Sequence, residues 1–538
     1  MYFKFYLNSI IRLSIFIAFS ITYLGNIQAS SEETKPLRVS FTVGLEGNNF
    51  DTTKTNYITH REIGSQLHWP LILITKSGKK LPASAHRWVL ENDGKNIRFF
   101  LRKDLRWSNG TPVTAHDFYR NYQRLSNEKS TTQKAFIGII GWEKWSEGNV
   151  DAKIGLTVVN DHELLFEFKN KNALRFSSFA DTISCAIALE DYLEIKDQPW
   201  IKSSKKLSYG PYMITDHSDT RITVEKNPYF PDKHKVDIER IIYTGTNFQD
   251  GLERYSNNQI DILTGPIGKQ KAWVSSTYKN ETISVGTPRV YFLLPDSRKA
   301  ILQNNTFLNK LYAALDRKTF STALFGSSDN VLDSNIPRNT GKYPGLDDPK
   351  IKIPFPERLA KVKEFMLKNG YSKENPLKLK LGVAPVPGYD AIAGFIKGSW
   401  ETIFIKVELI ESDNFYAMID SFTKGHYDLA IGSFIDQYAN PHQYLTILDE
   451  YSKLTKLKPD PHYSHLLQET SNMEGEKEYI TSLKNLDQYI LDKKLLLPIV
   501  TDSPTAMIKP KFSNIEEATT YVIPNLNIGF LKYKSANN

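Results

Sequence analysis

The sequence holds one cysteine, Cys185, in 538 residues. Without a second thiol, an intramolecular disulfide framework and a cysteine-built metal site are both excluded. A lone thiol suits an oxidising compartment, where it has no partner for a wrong bridge inside the chain. Within the apolar run Ile183 to Leu189 it is expected to be a small buried residue. After the amino terminus no apolar run is long enough to span a bilayer. Excess charge is also modest, +8 from 68 basic and 60 acidic side chains. The basic clusters Lys79-Lys80 and Lys233-His234-Lys235 are short and read as solvated surface, so no nucleic-acid partner is expected. Catalytic motifs are lacking too. His162-Glu163 opens a zincin-like string, but Phe166 stands where the second histidine is needed. Ser126 to Lys129 and Ser203 to Lys206 fit a serine-x-x-lysine spacing without the other elements such enzymes use. No phosphate-cradling glycine loop or nucleophile elbow occurs, and the eleven histidines have no ligand spacing. The sequence therefore predicts neither an enzyme nor a cofactor or metal site.

What is present begins with an export signal. Lys4 and Arg12 precede an apolar run from Leu13 to Leu24, and Ile27-Gln28-Ala29 resembles a cleavage site. As a helix that run covers only about 18 Å, short of a hydrocarbon core of about 30 Å, which argues against an anchor. Cleavage is expected to leave Ser30 as the first residue, and with no cysteine there, a freely diffusing protein rather than a lipoprotein. The remaining 509 residues exceed one hydrophobic core and suit two or three domains. Aromatic residues make up 12% of the chain, a composition compatible with a groove lined by Tyr and Trp.

Early elements read as strands and turns. Leu37 to Val43 alternates, Leu71 to Thr75 is apolar, and Trp88 to Leu90 with Ile97 to Leu101 flank Asn92-Asp93-Gly94, the chemistry of a tight hairpin. Thr114 and Asp117 have the spacing of a capping box, opening a helix with Phe118, Tyr122 and Leu125 on one face. Gly155 to Val159 with Leu164 to Phe168, and Tyr212 to Thr215 with Arg221 to Glu225, predict two antiparallel pairs. Later, Thr306 to Leu324 is helical by period, and Pro356 to Lys368 is a helix stopped by Asn369-Gly370. Leu377 to Val383, Ala391 to Trp400 and Lys406 to Ile410 form a strand, helix, strand succession that implies a parallel crossover. There is no internal repeat.

The string LRKDLRWSNGTPVTAHDFYRNYQRL at Leu101 to Leu125 resembles the signature segment of the family-5 extracellular solute-binding proteins, the oligopeptide and dipeptide receptors of ABC importers. The resemblance extends through GLTVVNDHELLFEF, SYGPYMITDHSDTRITVEKNPYF, ERYSNNQIDIL, NKLYAALDR and VELIESDNFYAMIDSFTKGHYDLA, nearly the whole chain after the signal. Trp107, Gly110, Thr114 and Asp117 within it read as fold determinants that say little about the cargo.

This resemblance implies an α/β and α+β fold, the three-lobe periplasmic binding protein clamshell (type II, cluster C), with two mixed-sheet lobes joined by a hinge and one inserted lobe. Carried onto this chain, residues 1–29 are the signal, lobe I comprises 30–58, 183–286 and 500–538, lobe II is 59–182, and lobe III is 287–499. It further implies a monomeric periplasmic receptor that binds an extended peptide or peptide-like ligand by main-chain pairing and delivers it to an ABC importer permease at the inner membrane. Two segments are expected to line the cleft, contributing Glu46, Gly47 and Asn48 from the first and Ser433, Phe434, Asp436, Gln437 and Tyr438 from the second. In peptide-binding relatives an aspartate four residues before the proline pairs with the ligand's ammonium group; here that position, counted from Pro441, is Gln437, and the acid stands at Asp436. Neighbouring positions of an extended segment face opposite sides. Either the backbone bulges to restore the acid, or the cargo has no free amine there, or Asp436 caps a local turn. Ile431 occupies a place where some relatives carry an arginine for the ligand's carboxylate, and Asn440-Pro441-His442 is similar to nickel-type relatives. Receptors for metallophores, murein fragments or opines, and a sensor built on the same clamshell, are the alternatives.

Overall fold

The computed structural model describes residues 35–42, 51, 58–75, 79–127, 136, 138–149, 152–170, 175–195, 198, 200–266, 268–285, 288–338, 340, 343–346, 353–386, 388–436, 440–455, 460–473, 475–515, 528 and 531–534. Three sheets of four or more strands organise them, beside two small two-stranded ones. A seven-stranded mixed sheet has the spatial order Thr282–Ser284, Thr505–Ile508, Ile262–Thr264, Leu37–Phe41, Arg240–Gly245, Arg221–Lys226, Tyr212–His217. Its strand Leu37–Phe41 pairs in parallel with neighbours on both sides. A five-stranded sheet has the order Ile405–Glu411, Leu377–Val383, Leu429–Ile435, Arg289–Pro295, Leu497–Asp502, with Leu377–Val383 parallel to both neighbours. The third, Ala85–Glu91, Asn96–Leu101, Glu163–Glu167, Leu156–Asn160, is antiparallel throughout.

Local sequence chemistry accounts for many boundaries. The hairpin turn places Asn92, Asp93 and Gly94 at φ of 49°, 50° and 80°, the left-handed region that Asn, Asp and Gly tolerate best. Asp117 accepts a hydrogen bond from the Thr114 backbone N–H at 2.8 Å and starts the helix Ala115–Asn127, whose Phe118, Tyr122 and Leu125 are buried. Trp107 is buried edge-on against Tyr209, with ring centroids 4.9 Å apart. The helix Phe355–Lys368 ends at Asn369, followed by Gly370 at φ 81°. The strand, helix, strand succession forms the parallel pair Leu377–Val383 and Ile405–Glu411 across the helix Tyr389–Glu401. One expectation is corrected: Thr306 to Leu324 is not one helix but two, Asn305–Ala313 and Arg317–Phe325. Asp316 breaks the run because its carboxylate accepts from the Thr319 N–H and caps a new helix, an effect that apolar periodicity does not report.

The buried side chains form separate cores. One spans the seven- and four-stranded sheets, from Leu37 through Phe99 and Phe166 to Ile508. Another surrounds the five-stranded sheet, from Val290 through Trp400 to Val500. The chain passes from the seven-stranded to the five-stranded sheet between Ser284 and Arg289, and returns between Asp502 and Thr505. The two crossings lie side by side, since the Val285 N–H donates to the Pro504 carbonyl at 2.8 Å. Two cores joined through adjacent strands are the arrangement a hinge needs.

Gly432 shows how tightly the second core holds its central strand. A Cβ there would stand 2.3 Å from a Phe292 ring carbon and 2.7 Å from the Tyr451 hydroxyl. Gly432→Ala is expected to cost about 1–3 kcal/mol through overpacking, measured as a lowered denaturant midpoint; an unchanged midpoint would show that both rings give way freely.

Candidate functional site

In open sheets with parallel strands, ligands gather in the crevice beyond the carboxyl ends of those strands. In the seven-stranded sheet this edge carries Thr42, next after Phe41, and Gly265, next after Thr264. The Thr42 N–H donates to Thr264 O at 3.2 Å, and its hydroxyl donates to Gly265 O at 2.9 Å. The Gly265 N–H donates to Thr505 O at 3.1 Å, tying this edge to the returning crossing. In the five-stranded sheet the corresponding edge carries Ile435 and the stretch after Val383, which leads into Tyr389. Ile435 pairs with Arg289, and Arg289 with Asp502, at the other side of the same crossings. Thr42 and Ile435, the described residues on the two expected segments' margins, therefore border the hinge.

Of the expected ligand residues, Ser433 and Phe434 lie in the strand Leu429–Ile435 and are half-buried. The Tyr389 hydroxyl donates to Ser433 Oγ at 3.2 Å. Phe434 packs edge-on against Tyr444, 5.5 Å between centroids, and Tyr444 in turn donates to the Pro288 carbonyl at 2.7 Å. Glu46, Gly47, Asn48, Gln437 and Tyr438 lie outside the described residues. Asp436 is buried, and its carboxylate accepts a hydrogen bond from the Asn440 backbone N–H. That contact ties Asp436 to the residue that caps the short helix Pro441–Leu445, and the carboxylate's charge adds to burial in holding the Tyr479 phenol well above its usual pKa. Asp436 thus faces the interior of its lobe.

Asp51 is held by partners that sequence reasoning missed. Asp51 is buried, accepts from Arg124 Nη1 at 2.7 Å, makes a second, close contact with Nη2, and accepts from the Trp200 N–H at 3.1 Å. A signal existed: Asp117, Asn121 and Arg124 recur at helical spacing beside the apolar face of Ala115–Asn127, and all three are buried. Polar residues on an inward face imply buried partners.

Ile431 is fully buried in the core of the five-stranded sheet. Arg317 is occupied locally, donating to the Tyr312 hydroxyl at 2.6 Å and to the Leu332 carbonyl. His442 is held by burial near pKa 4, with Nε2 3.1 Å from Ser471 Oγ. Among the described residues no three His, Cys, Asp or Glu side chains are grouped to hold a metal ion. Cys185 is buried and its thiol is pushed upward by desolvation. Among the described residues, no helix is long and apolar enough to cross a membrane.

Mixed sheets on separate cores, joined by paired crossings that border one crevice, define a multi-lobe α/β clamshell. Residues 81–454 match the model of the bacterial extracellular solute-binding proteins, family 5, and the chain belongs to that family. It is 25% identical over 401 residues to the periplasmic oligopeptide-binding protein OppA of Haemophilus influenzae, covering 72% of this chain and 73% of that one. It is 21% identical over 503 residues to the periplasmic murein peptide-binding protein MppA of Escherichia coli, covering 91% and 92%. The fold is similar to the crystal structure of the Haemophilus influenzae OppA complex with RPPGFSPFR, with a TM-score of 0.73 and 20% identity over 93% of this chain and 99% of that one.

Proposed function

We propose that this protein is an exported periplasmic receptor that closes over a peptide or peptide-like ligand and hands it to an ABC importer. In this reading lobe I comprises 30–58, 183–286 and 500–538, lobe II is 59–182, and lobe III is 287–499, the division that the family resemblance implies. The observation that carries this reading is the convergence of Thr42, Gly265, Ile435 and Ser433 on one pair of hinge crossings. Strand edges there offer main-chain donors and acceptors that hold a backbone whatever its side chains, and closure follows from the ligand's higher affinity for the shut state. The names of the relatives, oligopeptide- and murein peptide-binding proteins, support the same class of cargo. The protein binds without cleaving, acts as a monomer, and takes no cofactor.

Mass spectrometry of the compound that co-purifies with the protein tests the reading, and short peptides are expected. A preparation carrying only a non-peptide compound would overturn it, as would turnover of labelled peptides for the non-enzyme assignment. The burial of Asp436 favours a second reading within the class, a peptide whose amine is blocked or absent, because that acid is committed to the Asn440 N–H. Gln437→Asp is then expected to strengthen binding of free-amine peptides by about 1–3 kcal/mol while leaving acetylated ones alone. Calorimetry on matched free and acetylated peptides decides, and equal change for both removes the anchor argument.

A further inference from the structure

Charge does not balance beside the hinge crossings. Arg289 opens the strand Arg289–Pro295, opposite Ile435 on one side and Asp502 on the other. Residues directly opposite in antiparallel strands share a face, so Asp502 stands beside Arg289 as a natural counter-ion. The carboxylate of Asp502 is instead paired with Lys271 from the helix Gly268–Thr277, whose ammonium also donates to the Ser503 carbonyl at 2.7 Å. Among the described residues no carboxylate forms an ion pair with Arg289. Two cations thus share one acid.

The same face gathers hydroxyls around that surplus. Tyr291 lies opposite Ser433, and Tyr389 donates to Ser433 Oγ at 3.2 Å. The Tyr291 and Tyr389 rings are 6.3 Å apart at 73°. Gly388, at φ +89°, brings the chain so near that a Cβ would stand 3.1 Å from the Tyr291 hydroxyl. Both phenols are pushed up to about 12 by burial while the Arg289 charge pulls them back, which places both within the field of the guanidinium. They stay protonated at neutral pH, and the Tyr291 hydroxyl is itself hydrogen-bonded to Arg289. Arg289 itself is half-buried, where desolvation strengthens a charge-assisted hydrogen bond without removing access.

We propose that Arg289, with the hydroxyls of Tyr291, Tyr389 and Ser433, forms an anion subsite beside the hinge that receives a carboxylate of the bound ligand. A guanidinium presents two parallel N–H donors that match a carboxylate. All four residues belong to the five-stranded side, so the subsite is built before the lobes close. The subsite deepens the peptide-receptor reading and rests on it.

The test uses the purified full chain and two peptide pools, tri- to pentapeptides as free acids and the same pool amidated at the carboxyl end, with retention measured by mass spectrometry. The unaltered protein is expected to retain the free-acid pool at least about tenfold better, and Arg289→Gln is expected to bring that ratio to within about twofold of one. Should the amidated pool be retained through its Asp- and Glu-containing members, and that selection vanish in Arg289→Gln, the carboxylate received is a side-chain one. An undiminished acid preference in the variant, or equal retention of both pools by the unaltered protein without selection for Asp- or Glu-containing members, overturns the subsite and leaves the peptide reading standing. Retention of neither pool by the unaltered protein overturns the peptide reading, and the subsite falls with it. If Arg289→Gln retains nothing, Arg289→Lys decides: it keeps the charge without the two-pronged geometry, so the acid preference must fall but persist, and an unchanged ratio counts against the proposal.

Discussion

Replacing Asp181 by alanine is expected to destabilise the protein by about 3–5 kcal/mol, because it strips the counter-charge from a buried guanidinium. Arg61 and Asp181 are 1% and 0% exposed and in direct contact. Arg61 lies on the helix Ile58–Leu67, while Asp181 caps the turn Thr182–Ser184 by accepting from the Ile183 N–H at 2.9 Å. The variant loses the ion pair and the cap together. Paired replacement, Arg61→Met with Asp181→Leu, removes both charges and is expected to recover most of the loss, since two desolvated ions cost nearly what their attraction returns. Thermal melting of the three variants decides. If the double variant melts no higher than Asp181→Ala, the loss comes from the cap and packing rather than from a stranded charge.

Glu62→Gln is expected to act in the opposite direction. Glu62 sits on the same helix, is 2% exposed, and has no hydrogen-bond partner for Oε1 among the described residues. Burial pushes its carboxyl from about 4.5 to about 8, and its charge adds to burial in raising the Tyr243 phenol. Because the folded state binds this proton more tightly than the unfolded chain, stability is intact below pH 4.5. It falls as pH rises through 8 and is flat beyond. Glutamine keeps the neutral form at every pH. The gain should be near zero at pH 4.5, on the order of 2–4 kcal/mol at pH 7 to 8.5, and visible as a flatter pH profile of melting temperature. Parallel profiles for the two proteins would show that Glu62 finds a solvating partner. His68 and His442 set the acid limb: both are held near pKa 4 by burial, so each costs stability as pH falls from about 6.5 to 4.

These two predictions concern a helix to which the sequence reading assigned no structure. Thr59, His60, Arg61, Glu62, Ser65 and Gln66 are buried one after another, and no apolar stripe marks them. Their burial comes from neighbours distant in sequence, such as Asp181 and the strand Tyr212–His217. Arg289 was missed for a related reason: it opens an otherwise apolar strand, and only the pairing register reveals that its natural counter-ion is held by Lys271. Asp436 was legible as a displaced acid, but its inward direction depends on Tyr479, more than forty positions along the chain.

What the sequence by itself determined is the local punctuation and the family. Asn92-Asp93-Gly94, the Thr114 and Asp117 capping pair, and Asn369-Gly370 each act within a few residues, through φ preferences and side-chain to backbone hydrogen bonds that need no distant partner. The tertiary structure alone decided which charges are paired, which polar groups are entombed, and where surplus charge meets the crevice. Ion pairing and desolvation depend on separations of a few ångströms between residues far apart in sequence, and those separations exist only once the sheets have registered and the crossings have brought both lobes to one hinge.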